Sequence, residues 1–193
     1  MPKMKEQIKT YFNRYVEFDD AEIDAIYEKL EEKTFKKKTF LLEENTICRH
    51  NYFILKGVVR LFYIDAKGHE KITQFAIDNW WITHMESFIN QIPSSQYLQA
   101  VEDTTVLCLS KHNLELLYKE HPKLERMFRL VTENMLIANL RKSDIYLQMK
   151  SKERYTFFVE KLPDFAQRVP QYMIASYLEI TPEYLSELRR QRN

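Results

Sequence analysis

The chain has 193 residues, enough for one large or two small domains, and its 45% hydrophobic and 30% charged residues allow a core of real size beneath a well-solvated surface. A net charge of +1 excludes a polycation, and residues 150–193 carry eight Lys and Arg against six Asp and Glu, a bias of only +2. No run of about 18 apolar residues occurs and MPKMKEQIKTYF lacks the apolar stretch of a signal peptide, so no membrane span is expected and a cytoplasmic location follows by default. Cys48 and Cys108 are isolated thiols without metal-ligand spacing, read as reduced and partly buried, with a disulfide between them the weaker alternative. There is no nucleophile–base pairing, metal cluster or glycine-rich phosphate loop, so no enzyme and no metal are expected.

Residues 4 to 33 read as helical. Ile8, Tyr11, Phe12 and Tyr15 form one apolar stripe; Asp19 or Asp20 caps a second segment that turns Ile23, Ile26, Tyr27 and Leu30 inward. The pattern changes near Thr34. Short β-branched and aromatic runs at residues 39–42, 52–55, 58–64, 71–77 and 105–109, separated by turns such as Lys56-Gly57 and Asp65-Ala66-Lys67-Gly68, predict a barrel or sandwich. From about Lys111 the chain is helical again. Pro122 opens a long helix in which Leu124, Phe128, Val131, Met135, Ala138, Ile145 and Met149 recur at fours and threes, with Lys142 the single break. Such a seam suits a twin helix in a dimer; the alternative is a helix buried within its own chain. Residues 151–162 form another amphipathic segment, stopped by Pro163, and residues 163–169 read as a loop.

The terminal stretch PQYMIASYLEITPEYLSELRRQ carries a helix-turn-helix signal. Ile174, Ala175 and Leu178 share a face of a first short helix, with the small Ala175 where two backbones approach. Thr181-Pro182-Glu183 is a start signal for a second helix, and Leu185 and Leu188 are its inner stripe. That arrangement turns Tyr184, Ser186, Glu187, Arg189 and Arg190 outward, where they can reach base edges and phosphates. An ordinary helical hairpin with a charged outer face would show the same pattern.

Taken in series, these segments resemble the Crp/Fnr superfamily, the bacterial transcription regulators related to the cyclic-AMP receptor protein. The run Tyr52-Phe53-Ile54-Leu55-Lys56-Gly57-Val58-Val59-Arg60-Leu61-Phe62-Tyr63 looks like the strand–glycine turn–strand signature of that family, and Asp65-Ala66-Lys67-Gly68-His69-Glu70 like its next hairpin. Asp78-Asn79-Trp80-Trp81-Ile82 resembles the approach to the phosphate-binding cassette, and Ala100-Val101-Glu102-Asp103-Thr104 its exit. The resemblance implies an α+β fold: N-terminal helices and a β-roll (a double-stranded β-helix of cyclic-nucleotide-binding type) over 1–121, a dimerisation helix over 122–150, and a helix-turn-helix DNA-binding domain over 151–193. It also implies that a signal in the roll reorients the long helices and the DNA readers.

The cassette departs from the family pattern. Cyclic-nucleotide binders carry a Gly-Glu pair for the ribose and a later Arg-Ser or Arg-Thr for the cyclic phosphate; here Thr83 and His84 replace the first pair, while Ser94 and Ser95 stand at the second. Loss of the arginine removes a charge-assisted pair worth on the order of 2–5 kcal/mol, so tight cyclic-AMP binding is not expected. Thr83, His84, Met85, Ser94, Ser95 and Gln96 are the effector-pocket candidates for a ligand of unknown identity. His84 is either a structural group, a receiver of another anion or a pH sensor.

The implied DNA-binding residues are Thr181, Glu183, Tyr184, Ser186, Glu187, Arg189 and Arg190, with Glu187 where the family usually carries a base-reading arginine. The implied dimer interface is Phe128, Val131, Met135, Ala138 and Ile145. Glu179 occupies a turn position that commonly holds glycine. The reading is a homodimeric, sequence-specific regulator of transcription on double-stranded DNA with a degenerate cyclic-nucleotide pocket, no cofactor, and a small-molecule effector and RNA polymerase as further partners. The alternative is a small-molecule-sensing or protein-interaction module that no longer reads DNA.

Overall fold

The computed structural model describes residues 2–192. Contacts divide it into two compact units: residues up to Leu61 together with Phe75–Asn134, and Phe62–Gln74 together with the residues from Met135 onward.

The chain begins with helices α1 (Pro2–Phe12) and α2 (Asp20–Glu28). Asp19 starts α2 through a capping box: its carboxylate accepts from the Glu22 amide while the Glu22 carboxylate accepts from the Asp19 amide. The apolar stripes bury Ile8, Phe12, Ile23 and Ile26 completely. Strands β1 (Glu31–Phe35), β2 (Phe40–Leu42), β3 (His50–Lys56), β4 (Val58–Ile64), β5 (Glu70–Ile77) and β6 (Trp81–Ile82) follow, then the short helix α3 (Met85–Asn90) and strands β7 (Tyr97–Ala100) and β8 (Thr104–Ser110). They form two four-stranded sheets, ordered β1-β8-β3-β6 and β2-β7-β4-β5.

The helical reading of residues 4 to 33 overruns at its end. Glu31 to Phe35 pair antiparallel with Cys108 to Thr104. Most β1 side chains are exposed, so no apolar alternation announced the strand; its partner β8 decides it. The strands β6 and β7, of two and four residues, are too short to show an alternation.

β3 is buried along nearly its whole length. Phe53 lies between the rings of Tyr11 and Trp81, with centroids at 5.1 and 5.3 Å. Between β3 and β4, Gly57 adopts φ +125°, and a Cβ there would stand 2.3 Å from Thr104 Oγ1 and 2.8 Å from Thr104 Cα. Glycine is therefore required twice over, by backbone conformation and by space. Helix α4 (Lys111–Glu120) and the first half of α5 (Pro122–Gln148) complete this unit, burying Leu114, Leu117, Leu124, Met127 and Phe128. Cys48 and Cys108 are both free and buried, and burial pushes the Cys108 thiol up to about 12.

The second unit contains the tip of the β4–β5 hairpin, where the Asp65 carboxylate accepts from the Lys67 and His69 amides and is held below the usual carboxylate range chiefly by the His69 bond. It also contains the second half of α5 and the helices α6 (Ser151–Lys161), α7 (Pro163–Arg168), α8 (Gln171–Tyr177) and α9 (Pro182–Arg192). Pro163 ends α6 and also opens α7, so the expected loop at 163–169 is mostly a helical turn. Proline at a first helical position forfeits no hydrogen bond, and Phe165 is buried beside Phe158 at 5.8 Å. Met173, Ile174, Ala175, Leu178, Leu185 and Leu188 are buried between the helices of this unit.

Candidate functional site

Two groups of residues carry chemistry, one in each unit. The first is the cassette around α3. Thr83 and His84 are each 7% exposed and Ser94 is 1% exposed. Their polar atoms answer one another. Ser94 Oγ lies 3.1 Å from His84 Nδ1, donates to the Gln96 carbonyl at 2.7 Å and accepts from the Gln96 amide at 3.1 Å. The Thr83 hydroxyl donates to the His50 carbonyl at 3.0 Å and lies 3.1 Å from Cys48 Sγ. Ser87 Oγ accepts from the Cys48 amide and donates to the Ile92 carbonyl. Burial holds His84 below the ordinary imidazole range, against a smaller opposing pull from Glu86, so the ring is neutral near pH 7. None of the six candidates carries a permanent positive charge; Met85 and Ser95 are exposed and Gln96 is half-buried.

A cation lies elsewhere in the roll. Arg60 of β4 is 3% exposed and donates through Nε and Nη2 to Gln99 Oε1 of β7, at 3.0 and 2.7 Å; Gln99 Nε2 passes the chain on to the Lys38 carbonyl. Sequence reading missed this pair. Its signal was an arginine in mid-strand, flanked by Val59 and Leu61 that point into the apolar core. A concavity of about 280 Å³, lined by Leu41, Thr46, Ile47, Arg49, His50 and Tyr52 among others, contains none of the six cassette residues.

The second group is the α8–α9 pair. Glu179, between the helices, has φ +56°, and the Ile180 amide donates back to the Ala175 carbonyl at 3.0 Å. This left-handed closure, a conformation that favours glycine, is here made by a glutamate. Thr181 then caps α9, its hydroxyl accepting from the Tyr184 amide at 3.2 Å, with Pro182 first in the helix. Leu185 and Leu188 are buried, and Thr181, Glu183, Tyr184, Ser186, Glu187, Arg189 and Arg190 are all exposed. Ser186 donates to its own helix at the Pro182 carbonyl, and Glu187 accepts from Gln191.

The candidate dimer residues separate. Phe128, expected at a seam between chains, is 8% exposed and packs edge-on to Trp81 at 5.1 Å and to Tyr118 at 6.1 Å, so it belongs to the interior of its own chain. Val131, Met135 and Ile145 are half-buried and only Ala138 is exposed. The open apolar stripe is instead Leu136, Leu140 and Leu147, at 58, 57 and 83% exposure, with Ile137 beside it. At about 100° per residue this stripe lies on the side of α5 opposite Val131, Met135 and Ile145. Lys142, read as a break in the seam, is turned into its own unit.

Residues 32–121 match the cyclic nucleotide-binding domain family. Several solved structures share the architecture. The c-di-GMP-responsive global regulator CLP of Xanthomonas campestris aligns with a TM-score of 0.74 at 13% identity, covering 90% of this chain and 91% of that one. FixK2 of Bradyrhizobium japonicum gives 0.68 at 17%, covering 84% and 83%. The catabolite activator protein of Thermus thermophilus gives 0.58 at 17%, covering 90% and 83%. A comparison with curated proteins gives no match. Residues 32–121 thus match a cyclic nucleotide-binding domain, and the chain shares the fold of these solved structures. Among the described residues no helix is long and apolar enough to cross a membrane.

Proposed function

We propose that this protein is a homodimeric, sequence-specific DNA-binding regulator of transcription whose roll does not hold cyclic AMP tightly. The observation that carries the reading is α9: an apolar side buried behind a formed helix-turn-helix turn, and a polar side with Tyr184, Arg189 and Arg190 in solvent. Arg189 and Arg190 would hold the phosphate backbone, while Glu183, Tyr184, Ser186 and Glu187 face the bases, where glutamate can accept from cytosine. The exposed Leu136, Leu140 and Leu147 suit a twin helix, and a two-fold dimer reads two half-sites about one helical turn apart. The buried, internally bonded Thr83, His84 and Ser94 favour a cassette without a cyclic phosphate. The work of such a regulator lies in the cytoplasm, with RNA polymerase as its partner at promoters and, where an effector acts, a ligand other than cyclic AMP.

The test is selection of bound sequences from a random duplex pool at two salt concentrations, with and without cyclic AMP, alongside the mass of the protein by light scattering. A palindrome recovered equally with and without nucleotide, from a protein of dimer mass, is the expected result. A micromolar dissociation constant for cyclic AMP by calorimetry overturns the cassette reading. A monomer that ignores every duplex even at low salt overturns the regulator reading, and the exposed Glu187 then favours a sensing or interaction module that has given up DNA.

A further inference from the structure

Within the second unit, a side chain in the last turn of α8 bonds to a strand edge. β5 stands last in its sheet, so one row of its backbone groups has no strand neighbour. Ser176 takes the place of one. Its hydroxyl donates to the Glu70 carbonyl at 2.8 Å and accepts from the Ile72 amide at 3.1 Å. A carbonyl at one position and the amide two residues on are the pair that an adjoining strand would engage. Nearby on β5 the Thr73 carbonyl accepts from Lys142 Nζ at 3.2 Å, and that ammonium stands 3.8 Å from the centre of the Tyr177 ring. On the other side the Tyr146 hydroxyl donates to the Tyr177 carbonyl. Ser176 and Tyr177, immediately before the Glu179 turn, are therefore held both by the hairpin and by α5.

We propose that Ser176 is a latch that couples the β4–β5 hairpin to the helix-turn-helix, so that a displacement of the hairpin is passed to the turn that orients α9. The hairpin lies in the stretch matched as a cyclic nucleotide-binding domain, and its second strand bonds to the helix preceding the proposed reading helix. A contact made of one hydroxyl and two backbone groups can open, because each group exchanges its partner for water. A wholly apolar contact would not switch so locally. The consequence for DNA rests on the regulator reading above; the latch itself does not.

The experiment is native-state hydrogen exchange on the full chain with Ser176→Ala, Ser176→Thr, Gly68→Val and the Gly68→Val/Ser176→Ala double variant. Gly68 has φ +82° with nothing within 4 Å of a Cβ, so valine there strains the turn without a clash. Ser176→Ala is expected to speed exchange at the Ile72 amide about tenfold, while Ser176→Thr, which keeps the hydroxyl, stays near the parent. Gly68→Val is expected to speed exchange at residues 177–180 several-fold in the parent and to have no such effect once Ser176 is alanine. Equal effects of Gly68→Val in both backgrounds, or an unchanged Ile72 amide in Ser176→Ala, overturn the latch. Affinity for the selected duplex should fall several-fold in Ser176→Ala with non-specific affinity unchanged; no change there overturns its part in reading. If the parent binds no duplex, the regulator reading falls, and the exchange data still decide the latch.

Discussion

The cassette around α3 and the outer face of α9 are both rich in polar side chains, and they use them in opposite ways. In the cassette, Thr83, His84 and Ser94 are buried and bonded to groups of their own chain. On α9, Tyr184, Arg189 and Arg190 stand in solvent on a helix whose position is set by the buried Leu185 and Leu188. A polar group already satisfied internally has little to gain from a ligand; an exposed cation on a rigid support loses little by meeting a phosphate. The difference separates a stretch whose polar groups bond within the chain from one whose polar groups face solvent.

The largest effect that would break this contrast is on α9. Changing Arg189 and Arg190 together to alanine should lower affinity for any duplex about 100-fold at moderate salt and reduce the slope of log affinity against log salt by about 2, measured by anisotropy titration. Both side chains are exposed, so folding should be unaffected. Next comes Ser94→Ala, which removes the hydroxyl bonded to His84 Nδ1 and the Gln96 backbone. It should cost about 1–3 kcal/mol in urea denaturation with no change in duplex affinity. Altered DNA binding without lost stability would mean that the cassette is a ligand site after all.

Lys142 lies between these two regimes, a half-buried cation on α5. Burial holds its ammonium down to about 8, with Glu179 opposing, among the rings of Tyr146 and Tyr177 and with the Arg154 guanidinium over Tyr146. Because its folded value lies below the unfolded one, the unfolded chain binds more protons between about pH 8 and 10.5, and stability contributed at this position rises through that window. Lys142→Met should therefore be more stable than the parent by about 1 kcal/mol below pH 8, after allowance for partial exposure, with the gap closing by about pH 10.5 in denaturation curves. The smallest effect is at Glu179. In the Lys142→Met background, where the Lys142 ammonium is gone, Glu179→Gly should gain about 0.5 kcal/mol, as relief of the left-handed strain outweighs the added freedom of the unfolded chain. A loss there would show that the carboxylate has a further partner.

Much of this was legible in the residues. The helix-turn-helix could be read because its signals are local: Thr181 caps, Pro182 opens a helix, Ala175 permits close approach, and each is seen at its place. Gly57 was legible as a turn, although the clash with Thr104 that makes it obligatory was not. Strand β1 failed because its exposed residues carry no alternation. Lys142 failed because a heptad pattern does not say whether a lysine faces a partner or its own chain. The Arg60–Gln99 pair failed because its residues are 39 apart and meet only across two strands.

The sequence by itself determined what depends on neighbours along the chain: the order of helices and short strands, the cap of α9, and a stretch from Thr83 to Gln96 that holds no arginine. Periodicity also declared α5 apolar over most of its length. Tertiary structure alone decided which apolar face is covered. Phe128 is taken up by Trp81 and Tyr118, and Leu136, Leu140 and Leu147 are left in solvent. The reason is that burial belongs to pairs of surfaces. A stripe of leucines states a preference to leave water, and only the folded chain settles which stripe is still waiting for a partner.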